Sequence, residues 1–177
     1  MRPRVLVAGV GNVLAGDDGF GVEVLQRLEE MALPSWVQIA DYGIGYGRLD
    51  PDLLGGYDTT ILVDATPRGG TPGQVCVIEA ELDEHPSRIP ALLDPHGIRP
   101  EGALRLLQVL GGDAGRVLVV SCEPVKAAGF GLSRPVSAAV ADAVRIVMDL
   151  VWGTDPRLPV MSVEPEAPRR LETMRGE

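Results

Sequence analysis

Four stretches of this chain are apolar almost end to end: RVLVAG at 4–9, TTILVDA at 59–65, GQVCVIEA at 73–80 and RVLVVSC at 116–122. A strand with one face in water alternates polar and apolar residues, whereas a continuous valine-rich run suits a parallel strand covered on both faces. Helices on each side of the sheet supply that cover. A further stretch, WVQIADYG at 36–43, alternates as a strand does and ends in a glycine-rich loop. Between the strands the spacing turns helical. Phe20, Val24, Leu28 and Met31 share one face, with Glu23, Arg27 and Glu30 outward. Ala103, Leu106, Leu107 and Leu110 mark another helix, closed by Gly111 and Gly112. Ser133 caps a last one, with Pro135 tolerated in its first turn and Val136, Val140, Val144 and Val147 as its buried stripe. A short helix is placed around Arg48–Leu54, and 81–97 reads as a proline-punctuated loop. The expected fold is α/β, a three-layer sandwich in which a twisted, mostly parallel sheet lies between helices, occupying residues 1–153. Residues 154–177 are rich in proline and charge and lack periodicity, so they read as a mobile tail.

Composition narrows what such a domain does. The 177 residues suffice for one compact core, and a formal charge of −9 argues against nucleic acid or an anionic membrane as a partner. No apolar run approaches the roughly 20 residues of a membrane span, and the apolar start is too short for a signal peptide. Cys76 and Cys122 lie in strand-like segments without paired metal-ligand spacing, as buried thiols in a reducing compartment do. The expected location is the cytoplasm.

In doubly wound sheets, ligands bind beyond the carboxyl ends of the strands. That rule directs attention to the 10–18 turn, the 41–47 loop, Asp64 and the 121–132 loop. The first turn, GVGNVLAGDDGFG at 9–21, looks like a dinucleotide fingerprint, but Leu14 stands where its third glycine belongs. Asp17 and Asp18 occupy the place where a pyrophosphate needs N–H groups. Helix capping and the helix macrodipole account for one acid, here Asp17, and leave Asp18 freer to serve a ligand. Asp64 ends an apolar strand, where a carboxylate is costly unless a loop hydrogen bond or a cation meets it. His96, in DPHG, is a solvated loop residue or a ligand; His85, in DEHPS, sits in a blander acidic context. Were Asp18, Asp64 and His96 to converge, two oxygens and one nitrogen would suit a borderline divalent metal with open coordination positions. CxxC and HExxH patterns are absent, so a thiol redox pair or a helical zinc protease gains no support.

The opening turn, VDAT at 63–66, PHG at 95–97, SCEP at 121–124 and GFGLSRPV at 129–136 together resemble the hydrogenase maturation endopeptidases, in order and over residues 4 to about 150. The resemblance implies an aspartic-type endopeptidase that removes the C-terminal extension of a [NiFe]-hydrogenase large-subunit precursor once nickel is inserted, and so activates the hydrogenase. It implies that Asp18 and Asp64 are catalytic carboxylates, and that Asp18, Asp64 and His96 bind the nickel carried by the substrate. Many members have glutamate at the position of Asp18. The protein's own site is expected to be empty on isolation, with cadmium or zinc as surrogates. Asp41 opens a loop in which a glycine and a threonine usually follow the acid; Tyr42 and Ile44 stand there instead, and Asp41 receives no catalytic role. Two other classes share these features: a non-catalytic nickel-sensing maturation chaperone of the same fold, and a flavodoxin-like or nucleotide-binding domain. Loss of mass from the precursor tells the first from a protease, and a flavin spectrum would reveal the second.

Overall fold

The computed structural model describes residues 4–43, 56–79, 115–125 and 129–152. The expected helices at 48–54 and 103–110, the 81–97 loop with His85 and His96, and the 154–177 tail lie outside the described residues. Five strands form one sheet: β1 (Val5–Gly9), β2 (Val37–Asp41), β3 (Thr59–Ala65), β4 (Val75–Glu79) and β5 (Arg116–Cys122). Their order across the sheet is β2-β1-β3-β5-β4, parallel except for β4, which runs antiparallel to β5. The three central strands are the valine-rich runs, and burial on both faces is what their composition calls for. β2 and β4, at the two edges, are only half-buried, so 73–80, expected as a strand covered on both faces, is corrected to an antiparallel edge with a neighbour on one side alone.

Side chains alternate between two cores. Val5, Val7, Ile61, Val63, Leu118 and Val120 face the first, where α1 (Phe20–Glu29) and α2 (Arg134–Trp152) pack side by side. Leu6, Ala8, Leu62, Val117 and Val119 face the second, with Tyr42 and Tyr57. Leu6 has no exposed surface, so the second face is covered as well. Within the described residues no helix is long and apolar enough to cross a membrane.

Local differences from the expected elements have simple causes. α1 stops at Glu29, and Met31, expected in its buried stripe, is exposed; Leu25 is buried in its place. In α2 the stripe runs through Ala139 and Ala143, with Val144 only partly buried. Small side chains fit where α2 meets α1 and the sheet. Cys122 is buried but Cys76, on edge strand β4, is half-exposed, and both are free thiols.

Candidate functional site

The connection leaving β1 runs to β2 on one side of the sheet, and the connection leaving β3 runs to β4 on the other. The winding therefore reverses direction between β1 and β3, and open α/β sheets bind ligands beyond the carboxyl ends of the strands at such a point. Asp18 and Asp64 both belong to this edge.

The turn that carries Asp18 is built by its backbone. Gly11 has φ +118°, and a Cβ there would lie 1.8 Å from the carbonyl oxygen of Asp18, so only glycine permits this close return of the chain. The Asn12 side chain accepts from the Leu14 N–H at 2.8 Å, and Ala15 N–H donates to the Asn12 carbonyl at 3.0 Å. A single 3-10 turn, Gly16–Gly19, then delivers the two acids in succession. They diverge. Asp18 is exposed, and its Oδ2 accepts from the Asn12 N–H at 2.7 Å. No donor meets its other oxygen among the described residues.

Asp17 points inward and is buried. Its carboxylate accepts from the backbone N–H groups of Val125 at 2.8 Å and Ser133 at 2.6 Å, and from the Ser133 hydroxyl at 2.9 Å. Among the described residues its side-chain bonds all run to this distant segment and none to its own turn. The capping role expected of Asp17 is therefore corrected in its address: the negative charge sits at the N-terminus of α2, not of α1, where it also opposes the positive helix end favourably. Ser133 does precede the first residue of α2, as its residue type predicts, but its hydroxyl is directed at Asp17.

Asp64 is buried near the end of β3, in register with Ser121 of β5. The Ala65 N–H donates to its Oδ1 at 2.8 Å and the Thr66 hydroxyl to its Oδ2 at 2.9 Å. Local donors thus hold the carboxylate as the strand-end position requires. Asp41 ends β2 on the same edge, and its Oδ1 accepts from the Gly43 N–H at 2.8 Å. The remainder of its loop, 44–47, lies outside the described residues. Among the described residues no three His, Cys, Asp or Glu side chains converge on a metal position. Asp18, Asp64 and Asp41 all stand at the carboxyl-end edge of the sheet.

The cysteines are poor nucleophiles at neutral pH. Burial pushes the Cys122 thiol up to about 12, with the negative charge of Asp17 adding to it. Burial also raises Cys76, against the pull of Arg68. A thiol held protonated supplies little thiolate. Glu123, beyond β5, is instead lowered despite its desolvation, because backbone N–H groups of Arg68, Gly70 and Gly69 donate to it. It fastens the turn after β3, a structural contact that sequence reading passed over because its partners lie 54 and 55 residues away.

A family model described as hydrogenase maturation protease matches residues 22–150. The chain is 34% identical over 160 residues to the hydrogenase expression/formation protein HupD of Rhodobacter capsulatus, an alignment covering 86% of this chain and 74% of that protein. It is 29% identical over 148 residues to the hydrogenase 2 maturation protease of Escherichia coli K12, covering 82% and 88%. The solved structure of the E. coli hydrogenase maturating endopeptidase HybD matches with a TM-score of 0.69 at 27% identity, over 84% of this chain and 92% of that one.

Proposed function

This chain belongs to the hydrogenase maturation protease family and is a peptidase, and from that premise we propose that it cleaves the C-terminal extension from the precursor of a [NiFe]-hydrogenase large subunit, recognising nickel already inserted in that precursor. The observation that carries this reading is the division of labour between neighbouring acids. Asp17 does the structural work, which leaves Asp18 exposed with a carboxylate oxygen unoccupied among the described residues, on the same sheet edge as Asp64.

Two carboxylates at an open edge are hard oxygen donors, and His96 is assigned here as the nitrogen donor that completes the set. Nickel is cargo of the substrate, held by thiolates of the precursor; bound at this edge it gains carboxylate oxygens and a histidine nitrogen. The chain's own part in the reaction is general-base chemistry. A carboxylate of the pair accepts a proton from water as that water attacks the scissile carbonyl, and the resulting carboxylic acid returns the proton to the departing amine as the C–N bond breaks. The protein alone, offering few ligands and no thiolate, is expected to hold nickel or zinc weakly.

The deciding experiment is incubation of the full chain with nickel-loaded and nickel-free precursor, read by mass. Only the loaded precursor is expected to lose its extension; efficient cleavage of the nickel-free form would overturn the recognition mechanism. Asp18→Asn and Asp64→Asn, which keep volume but lose charge, are expected to impair cleavage, and Asp18→Glu to retain more of it. His96→Ala is expected to abolish processing and His85→Ala to leave it intact.

A further inference from the structure

We infer that Leu14 and Phe130 form an apolar grip beside Asp18 that holds an apolar segment of the precursor polypeptide next to the scissile bond. The inference rests on the function proposed above and adds to it a specificity determinant made of side chains that touch neither metal nor the reacting carbonyl.

Phe130 is 94% exposed and Leu14 64% exposed. Isolated apolar residues on a surface are ordinary, but a phenylalanine with nearly all its surface in water is costly to keep unless something covers it. The two residues come from segments separated by more than a hundred positions, and the fold fastens those segments together. A Cβ on Gly16 would lie 3.0 Å from the carbonyl oxygen of Gly129, so the two backbones are in contact. Asp17 then binds both Val125 and Ser133, on either side of Phe130. One buried carboxylate thus sets the aromatic beside the turn whose next residue is Asp18. Leu14 lies in that same turn, between Asn12 and Asp18, whose hydrogen bond closes it.

Glycines flank the aromatic on both sides. Among the described residues, and apart from its neighbours in the chain, neither Gly129 nor Gly131 has a heavy atom within 4 Å of its Cβ position, and Gly131 has φ +73°. Open space around the ring leaves room for an incoming chain to lie against it. Continuity with the Asp18 edge identifies the occupant as the polypeptide being cut. The net charge of −9 opposes docking on an anionic membrane. Val13, also exposed, adjoins Leu14 in that turn, whereas the remaining exposed large apolar side chains among the described residues, Met31 and Trp152, lie just past the end of α1 and at the last residue of α2.

The test is steady-state cleavage of nickel-loaded precursor by the full chain and its Phe130→Ser and Leu14→Ser variants, with Met31→Ser as control and thermal melts confirming an unchanged fold. Each grip variant is expected to raise KM by about ten-fold with kcat little changed, the signature of lost ground-state binding. Unchanged KM in Phe130→Ser, while wild type cleaves normally, would remove the grip and leave the proposed function standing. A wild-type protein that neither binds nor cuts the precursor would remove both. A concentration-dependent dimer that Phe130→Ser dissolves, with KM unaltered, would assign the patch to self-association and overturn the inference.

Discussion

Removing the carboxylate of Asp17 strands three donors at once, two of them backbone N–H groups with no second acceptor among the described residues. Asp17→Ala is accordingly expected to lower unfolding free energy by about 3 kcal/mol, since buried donors lose a charged acceptor. Asp18→Ala releases only the Asn12 N–H at an exposed turn, and is expected to cost less than about 1 kcal/mol while impairing cleavage. Urea unfolding midpoints at unchanged m value check both. Cys122 supplies a pH dependence of its own. Its thiol ionises near its ordinary value of 9.0 in the unfolded chain but at about 12 in the folded one. Between those values the unfolded state binds fewer protons, so stability falls as pH rises. The thiol's contribution is intact below 9.0 and declines from there toward about 12. Cys122→Ala is expected to flatten that alkaline decline, measured as the midpoint of urea unfolding from pH 8 to pH 11.

The first turn of α1 lies against the strand ends through Gly21. A Cβ there would meet the Val63 carbonyl oxygen at 2.2 Å and the Val10 carbonyl oxygen at 2.5 Å. Alanine's helix propensity favours Gly21→Ala by up to about 1 kcal/mol, but the clash is with the backbone of β3 and of the residue just past β1, which are hydrogen-bonded to each other and cannot yield separately. Overpacking of this kind costs about 1–3 kcal/mol, and the clash is expected to win. Gly129→Ala, with open space around it, is expected to change stability by less than about 0.5 kcal/mol. Thermal denaturation distinguishes the two. Elements were legible in the sequence where the signal is local. Thr59–Ala65 and Arg116–Cys122 follow from composition alone, because a strand buried on both faces leaves no alternation to misread. The end of α1 was not legible: Met31 continues the helical spacing after the helix has stopped, and periodicity has no term for where a C-terminal turn closes.

At the scale of the whole molecule, alternation of strands and helices implied a mostly parallel sheet, but not the reversal of β4 or the order β2-β1-β3-β5-β4. Both depend on pairings between distant segments. The site divides in the same way. Asp64 and the exposed Asp18 could be picked out from strand ends and turn chemistry, whereas the task of Asp17 could not, because its partners stand 108 and 116 residues away. Contacts that close loops of this length form late, after the chain entropy they oppose has been overcome by nearer contacts. Asp17→Ala is therefore expected to speed unfolding on the order of 100-fold and to leave the refolding rate nearly unchanged, as stopped-flow kinetics would show.

The same long reach sets a schedule for synthesis. A ribosome releases β1 and the turn after it early, and Val125 and Ser133 more than a hundred residues later, at roughly 5–20 residues per second. Through those seconds the acid that ties the first turn to α2 has nothing to hold. A nascent chain of this protein consequently carries its first-turn carboxylates without their final arrangement until the start of α2 has left the exit tunnel.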